Sequence, residues 1–191
     1  MKNFLINFGN STSLKLPGAV KSFVYANGEL TLNVNYLFIT KVLFFLKTHT
    51  NTQYKVLVDI TAVDCINKNS RFEVVYHLLS LSYNSRIRIK TSINELDSIY
   101  TVSDLYPSAN WAEREVWDMF GIFFIGHSDL RRILTDYGFE GFPLRKDFPL
   151  SGYISTRYDE FSKIVVCENI EHAQEFRSFD LETPWNSKVS L

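Results

Sequence analysis

Apolar and polar positions recur with different periods along the chain, and each change of period marks an element. Residues 19–34 read as two strands around Asn27-Gly28, a pair that tolerates the positive φ of a tight type I′ turn, so a hairpin is expected there. Over residues 36–48, Leu37, Val42, Leu43, Phe45 and Leu46 suit a buried helix, ended by the polar run His49-Thr50-Asn51-Thr52. Three strands follow, at residues 54–64, 71–81 and 86–93, each bounded by Asn, Ser or Lys turns. In the last, Ile87 and Ile89 take one face while Arg86, Arg88 and Lys90 take the other, which reads as solvated surface before it reads as a partner contact.

A second helix fits residues 108–120, with Ser108 placed to cap the free amides after Pro107 and Gly121 placed to end the last turn. Ala112, Val116, Met119 and Phe120 fall on one side of it as the expected buried stripe. Over residues 125–152 neither period is sustained. Tyr137, Phe139, Phe142 and Phe148 are not the composition of a solvated linker, so this segment is expected to lie ordered against a surface. A last hairpin is expected over residues 153–166, turning near Asp159-Glu160, and the tail after Glu168 carries Phe176, Phe179 and Trp185. The pattern predicts an α+β domain over residues 1–124, with a mixed or mostly antiparallel sheet packed with helices. An extended interface segment with little regular structure follows over 125–191.

Composition bears on partners. Aromatic residues reach 15%, with 16 Phe and 10 Tyr, enough that a partner surface as well as the core is expected to cover them. The net charge of −1 supplies no general field for nucleic acid or an anionic membrane. Cys65 and Cys167 form no C-x-x-C pair and read as reduced thiols, small core side chains by default. The most apolar run, residues 36–46, is about half the length a membrane span needs and contains Lys41. The first arginine is Arg71, which argues against an Arg-rich presequence, so either the chain works where it is made, in an organelle or a bacterium, or its presequence is absent here.

Two cysteines cannot supply the four thiolates of a self-contained iron–sulfur cluster, and His49, His77, His127 and His172 lack zinc-site spacing. Neither a P-loop nor a dinucleotide glycine fingerprint is present. One concentrated set of carboxylates remains, Glu113, Glu115 and Asp118, with Arg114 among them. Glu113 and Glu115, two apart on a helix, point away from each other, whereas Glu115 and Asp118 are neighbours of like charge and Arg114 stands four residues before Asp118. The plain reading is an exposed, ion-paired helix face with one raised carboxyl. An interface network and a free-standing acid/base hydrolase using Glu115 and Asp118 are the alternatives. Arg131-Arg132 and Arg145-Lys146 are the basic complement, for the acidic helix, for a partner's acids or for a polyanion.

The run Glu113-Arg114-Glu115-Val116-Trp117-Asp118-Met119-Phe120-Gly121-Ile122, continued by Gly126-His127-Ser128-Asp129-Leu130-Arg131-Arg132-Ile133-Leu134, resembles the signature of the 30 kDa hydrophilic core subunit of respiratory complex I. So does the stretch from Pro143-Leu144-Arg145-Lys146-Asp147 to Ser151-Gly152-Tyr153, most like the mitochondrial form. Ser128 and Phe142 depart from the family pattern, which usually has Pro and His there, and a phenyl ring carries no proton. The resemblance implies a subunit without catalytic, cofactor-binding or metal residues, with FMN, iron–sulfur clusters and ubiquinone held by other subunits. It implies packing on the 49 kDa-type quinone-site subunit and neighbouring iron–sulfur subunits, peripherally on the matrix side of the mitochondrial inner membrane, with no nucleic acid and no membrane span. The interface residues it implies are Glu113, Arg114, Glu115, Asp118, Arg131, Arg132, Arg145, Lys146, Asp147, Tyr153, Arg157 and Arg177.

Overall fold

Asn27 and Gly28, at φ +52° and +84°, turn β1 (Val20–Ala26) onto β2 (Glu29–Val34), as their identities require. The computed structural model describes residues 2–172 and 174–181; the expected place of Trp185 lies outside them. After a single 3-10 turn at Tyr36–Phe38 the chain enters α2 (Ile39–Thr48) and then a meander of β3 (Val56–Asp64), β4 (Phe72–Ser80) and β5 (Ser85–Ile93). The sheet order is β1-β2-β5-β4-β3. Every neighbouring pair is antiparallel except β2 and β5, which run parallel with Leu30 beside Ile87 and Leu32 beside Ile89. The sheet is therefore mixed. Those four residues are almost fully buried, because the parallel register brings the apolar faces of two sequence-distant strands onto one side.

Leu37 and Phe45 do not line the buried face of α2. Leu37 is exposed and Phe45 half-buried, and the helix buries Ile39, Val42, Leu43 and Leu46 instead. The reason is phase: the 3-10 turn, opened by Asn35 accepting from the Leu37 amide, advances the chain differently from an α-helix and leaves Leu37 outward. A helix that the pattern does not announce, α1 (Lys2–Lys15), packs on β1 and β2 and buries Leu5 and Thr12. Its Asn, Ser, Thr and Gly residues are poor helix formers, so packing rather than propensity supports it.

Of the basic residues of β5, Arg86 is exposed as expected, whereas Arg88 donates to Glu29 at 2.7 Å and Lys90 to Glu73 at 2.6 Å. Helix α3 (Ala109–Phe120) stands against β3, between β6 (Ile99–Tyr100) and β7 (Phe124–Ile125), which pair in parallel. Ser108 does not cap it. Its backbone is already helical, and its hydroxyl donates to the Leu57 carbonyl at 3.3 Å. Gly121 ends the helix in the left-handed region at φ +75°.

The chain divides into two compact units between Phe148 and Pro149. Residues 126–148, called the strap below, belong to the first. In the second, β8 (Ile154–Asp159) and β9 (Ile164–Asn169) form a two-stranded antiparallel ribbon. Cys167 lies exposed on it, so this thiol is not the small core side chain expected. No described helix is long and apolar enough to cross a membrane.

Candidate functional site

Three of the four charged residues of α3 turn out to be interior. Glu113 and Asp118 are fully buried, Arg114 nearly so, and Glu115 alone lies exposed. The expected solvent-facing network is thus absent, and Ala112 and Met119 of the expected stripe are only half-buried. The cause is that α3 is covered twice. Ala109, Val116 and Phe120 join the core, while the carboxylate side is roofed by the strap, which has no period of its own to reveal it.

Asp118 is the main fastening. It accepts from the amides of Ile133, Leu134 and Thr135 at 3.1, 2.7 and 2.9 Å, from the Thr135 hydroxyl at 2.7 Å and from Arg132 at 3.0 Å. Burial alone would raise its pKa, but these donors favour the charged form more strongly and hold it down at about 2. Arg132 also donates to the Gly141 carbonyl at 2.9 Å and lies 5.1 Å from the Phe142 ring centre. Arg114 does not neutralise Asp118. It donates to the carbonyls of Arg131 and Arg132, at 3.1 and 3.3 Å. Glu115 and Asp118 form no acid/base pair, because one faces water and the other has committed its oxygens to five donors.

A second fastening holds the far end of the strap. Arg145 donates to the Phe120 carbonyl at 2.6 Å and to Glu95 at 2.5 Å, with its guanidinium against Phe72 and Phe142. Asp64, buried at the end of β3, accepts from both sides of the Arg71 guanidinium at 3.0 Å and from the Lys146 amide at 2.8 Å. Arg71, ahead of the opposing desolvation, holds the Asp64 carboxyl below the usual carboxylate range. Arg71 reaches on to Glu95 and Asp147, at 3.1 and 2.9 Å. Sequence reading missed Asp64, Arg71 and Glu95; the only signal was that Asp64 and Arg71 close the β3–β4 turn from its two sides.

The third group is Glu113 with His127. Glu113 accepts from the Thr101 hydroxyl at 2.5 Å and from the Val102 amide at 2.8 Å, and its Oε2 lies 3.9 Å from His127 Nε2. His127 Nδ1 accepts from the Asp129 amide at 3.1 Å, which leaves Nε2 to donate to the Asn110 carbonyl at 3.1 Å. Burial raises the Glu113 carboxyl above its ordinary value, against the Thr101 and Val102 hydrogen bonds.

The other expected interface residues scatter. Arg131 pairs with Asp129 on the surface, Tyr153 is exposed, Arg157 pairs with Glu168, and Arg177 stacks on Phe179. Among the described residues no cluster of His, Cys, Asp or Glu could hold a metal ion.

The carboxyls carry opposite pH signatures. Asp118 has a folded pKa below the ordinary 3.8, so its stabilisation is complete above that value and is lost as pH falls through about 2. Glu113 has a folded pKa above the ordinary 4.5, so its contribution is complete below 4.5 and is lost as pH rises through the folded value. Urea midpoints of the wild-type chain and Glu113→Gln, measured from pH 4.5 upward, should shift in favour of the variant as pH rises; a pH-independent difference would contradict this.

The fold and these fastenings define an α+β domain whose acidic helix is an internal clasp for an aperiodic strap. Residues 32–154 match the family described as the respiratory-chain NADH dehydrogenase 30 Kd subunit, and the chain belongs to that family. It is 55% identical over 179 residues to NADH-ubiquinone oxidoreductase subunit 9 of Prototheca wickerhamii, covering 94% of this chain and 93% of that one. It is 61% identical over 156 residues to NADH dehydrogenase [ubiquinone] iron-sulfur protein 3 of Beta trigyna, covering 82% and 80%. A chain from the structure of the membrane-bound sulfane sulfur reductase, an archaeal respiratory membrane complex, superposes with a TM-score of 0.64 at 29% identity, covering 78% of this chain and 87% of that one.

Proposed function

We propose that this chain is a structural subunit of the peripheral arm of a proton-pumping NADH:ubiquinone oxidoreductase. In this reading it packs on the quinone-site subunit and its iron–sulfur neighbours on the matrix side, and supports electron transfer without holding a redox group. One observation carries it: the strap is fastened from both ends, yet turns Leu134, Tyr137 and Leu144 outward, Tyr137 fully exposed. Large apolar side chains held rigidly at a surface mark a protein contact, because their ordering has already been met by the fold. The cofactor assignment rests on the two cysteines, Cys65 half-buried and Cys167 exposed, being too few for a cluster. Asp118, Arg132 and Arg145 act on the partner indirectly, by shaping the strap.

Leu134→Ser with Tyr137→Ser should leave the urea midpoint of the isolated chain within about 0.5 kcal/mol of wild type, as surface changes do. The same variant should fail to co-migrate with NADH dehydrogenase activity on native gels of solubilised membranes. Wild-type co-migration of the variant, or its absence in the wild type, would overturn the reading.

A further inference from the structure

The ribbon of the second unit has two unlike faces. Directly opposed residues share a face, so Ile154, Thr156 and Tyr158 lie with Val165, Cys167 and Asn169, while Ser155, Arg157 and Asp159 lie with Ile164, Val166 and Glu168. On the second face Arg157 donates to both oxygens of Glu168, at 2.9 and 2.7 Å, and approaches Asp159 at 3.6 Å. Arg157 offsets one of these two carboxylates and the face keeps a net negative charge, while Val166 opposite the Arg157 stem is half-buried. The first face carries no carboxylate and no cation, and Ile154, Tyr158 and Val165 are 63%, 55% and 67% exposed on it. A two-stranded ribbon of this kind is marginal in water without a third layer.

We infer that the Ile154–Tyr158–Val165–Cys167 face is covered by an uncharged apolar patch on another protein subunit, while the Arg157–Glu168 face stays in water; this rests on the subunit reading above. Charge selects the occupant. A partner carboxylate or ammonium set against this face would be desolvated without a counter-charge. An anionic bilayer is disfavoured as well, because over residues 154–171 Arg157 and Lys163 are outnumbered by Asp159, Glu160, Glu168 and Glu171. Under the subunit reading the occupant is another subunit, and a second copy of the chain is an outcome of the test below. Six residues per strand give a face of roughly 20 by 10 Å. That is far short of the roughly 800 Å² per partner of a stable interface, so the ribbon serves as one anchor within a larger contact.

Cys167 is a native probe on this face, and Ser155→Cys places a thiol on the other. Maleimide labelling, read by peptide mass spectrometry, should be at least about tenfold slower at Cys167 in the intact respiratory complex than in the isolated full-length chain. Position 155 should label within about twofold of its isolated rate. Equal labelling of Cys167 in both samples overturns the inference, as does equal protection at position 155. Protection of Cys167 in the isolated chain upon dimerisation, or by phosphatidylcholine–cardiolipin vesicles alone, overturns the choice of occupant. A chain that does not co-purify with NADH dehydrogenase activity overturns the subunit reading, whereas co-purification with a freely labelled Cys167 overturns only the assignment of this face.

Discussion

Asp118→Ala is expected to lower the unfolding free energy of the isolated chain by about 3–5 kcal/mol, the cost of breaking a buried ion pair by removing one partner. The substitution strands the Thr135 hydroxyl and the amides of Ile133, Leu134 and Thr135, and leaves the Arg132 guanidinium only the backbone carbonyls of Asp118 and Gly141 as acceptors. The loss should be local in its consequences. The strap between Arg131 and Tyr137 should become the first site of limited proteolysis, while the sheet keeps its strand content by circular dichroism. Asp118→Asn should cost less, because a carbonyl oxygen in the Oδ2 place still faces the three amides. The difference between Asp118→Asn and wild type should shrink as pH falls toward about 2, where the aspartate itself becomes neutral. Glu115→Ala, one turn away but exposed, is the control and should be nearly silent. A wild-type urea midpoint for Asp118→Ala would sink the clasp.

Gly121→Ala is the second large effect. The residue sits at φ +75°, where a side chain costs about 1–2 kcal/mol. A Cβ there would also stand 2.6 Å from the Phe142 ring and 2.7 Å from the Arg145 guanidinium. Both neighbours are already engaged, the Phe142 ring with Trp117 at a centroid distance of 5.9 Å and Arg145 with Phe120 and Glu95, so a shift would disturb those contacts. Overpacking adds about 1–3 kcal/mol, so a total loss of roughly 2–5 kcal/mol is expected by denaturant unfolding. Phe142→Ala in the Gly121→Ala background should recover part of the steric share and none of the backbone share. Full recovery would show that the left-handed conformation is unimportant; unchanged stability of Gly121→Ala alone would show that the strap does not close on this corner.

The Phe142 ring is flanked by Arg132 and Arg145, whose guanidiniums lie 5.1 and 4.5 Å from its centre. The position therefore serves packing and cation–π contact in this chain.

The strand meander, the Asn27-Gly28 turn, the end of α3 at Gly121 and the last ribbon were legible in the sequence, because each depends on local periodicity or on one residue's backbone preference. Residues 113–153 were legible as a motif, and their likeness to a family was correct, yet the role of each side chain was not. Glu113 and Asp118 read as exposed because an isolated helix with one apolar stripe turns its charges to water. Burial became favourable only once the strap supplied Asp118 with donors from residues 14 to 17 positions downstream, and Thr101 and Val102, 12 and 11 positions upstream, donated to Glu113. His127 read as an isolated histidine for the same reason, since Asn110 and Glu113 approach it only in the folded chain.

Sequence alone determined which segments could be strand, helix or turn, that four thiolates for a cluster are lacking, and to which family the chain belongs; these follow from residue identity and spacing. Tertiary structure alone decided the parallel pairing of β2 with β5, the formation of α1 from poor helix formers, and the conversion of an acidic helix into an internal clasp. The physical reason is common to all three. The free energy of a buried carboxylate, a parallel register or a weak helix is set by groups distant in sequence, and those groups meet only when the chain has folded.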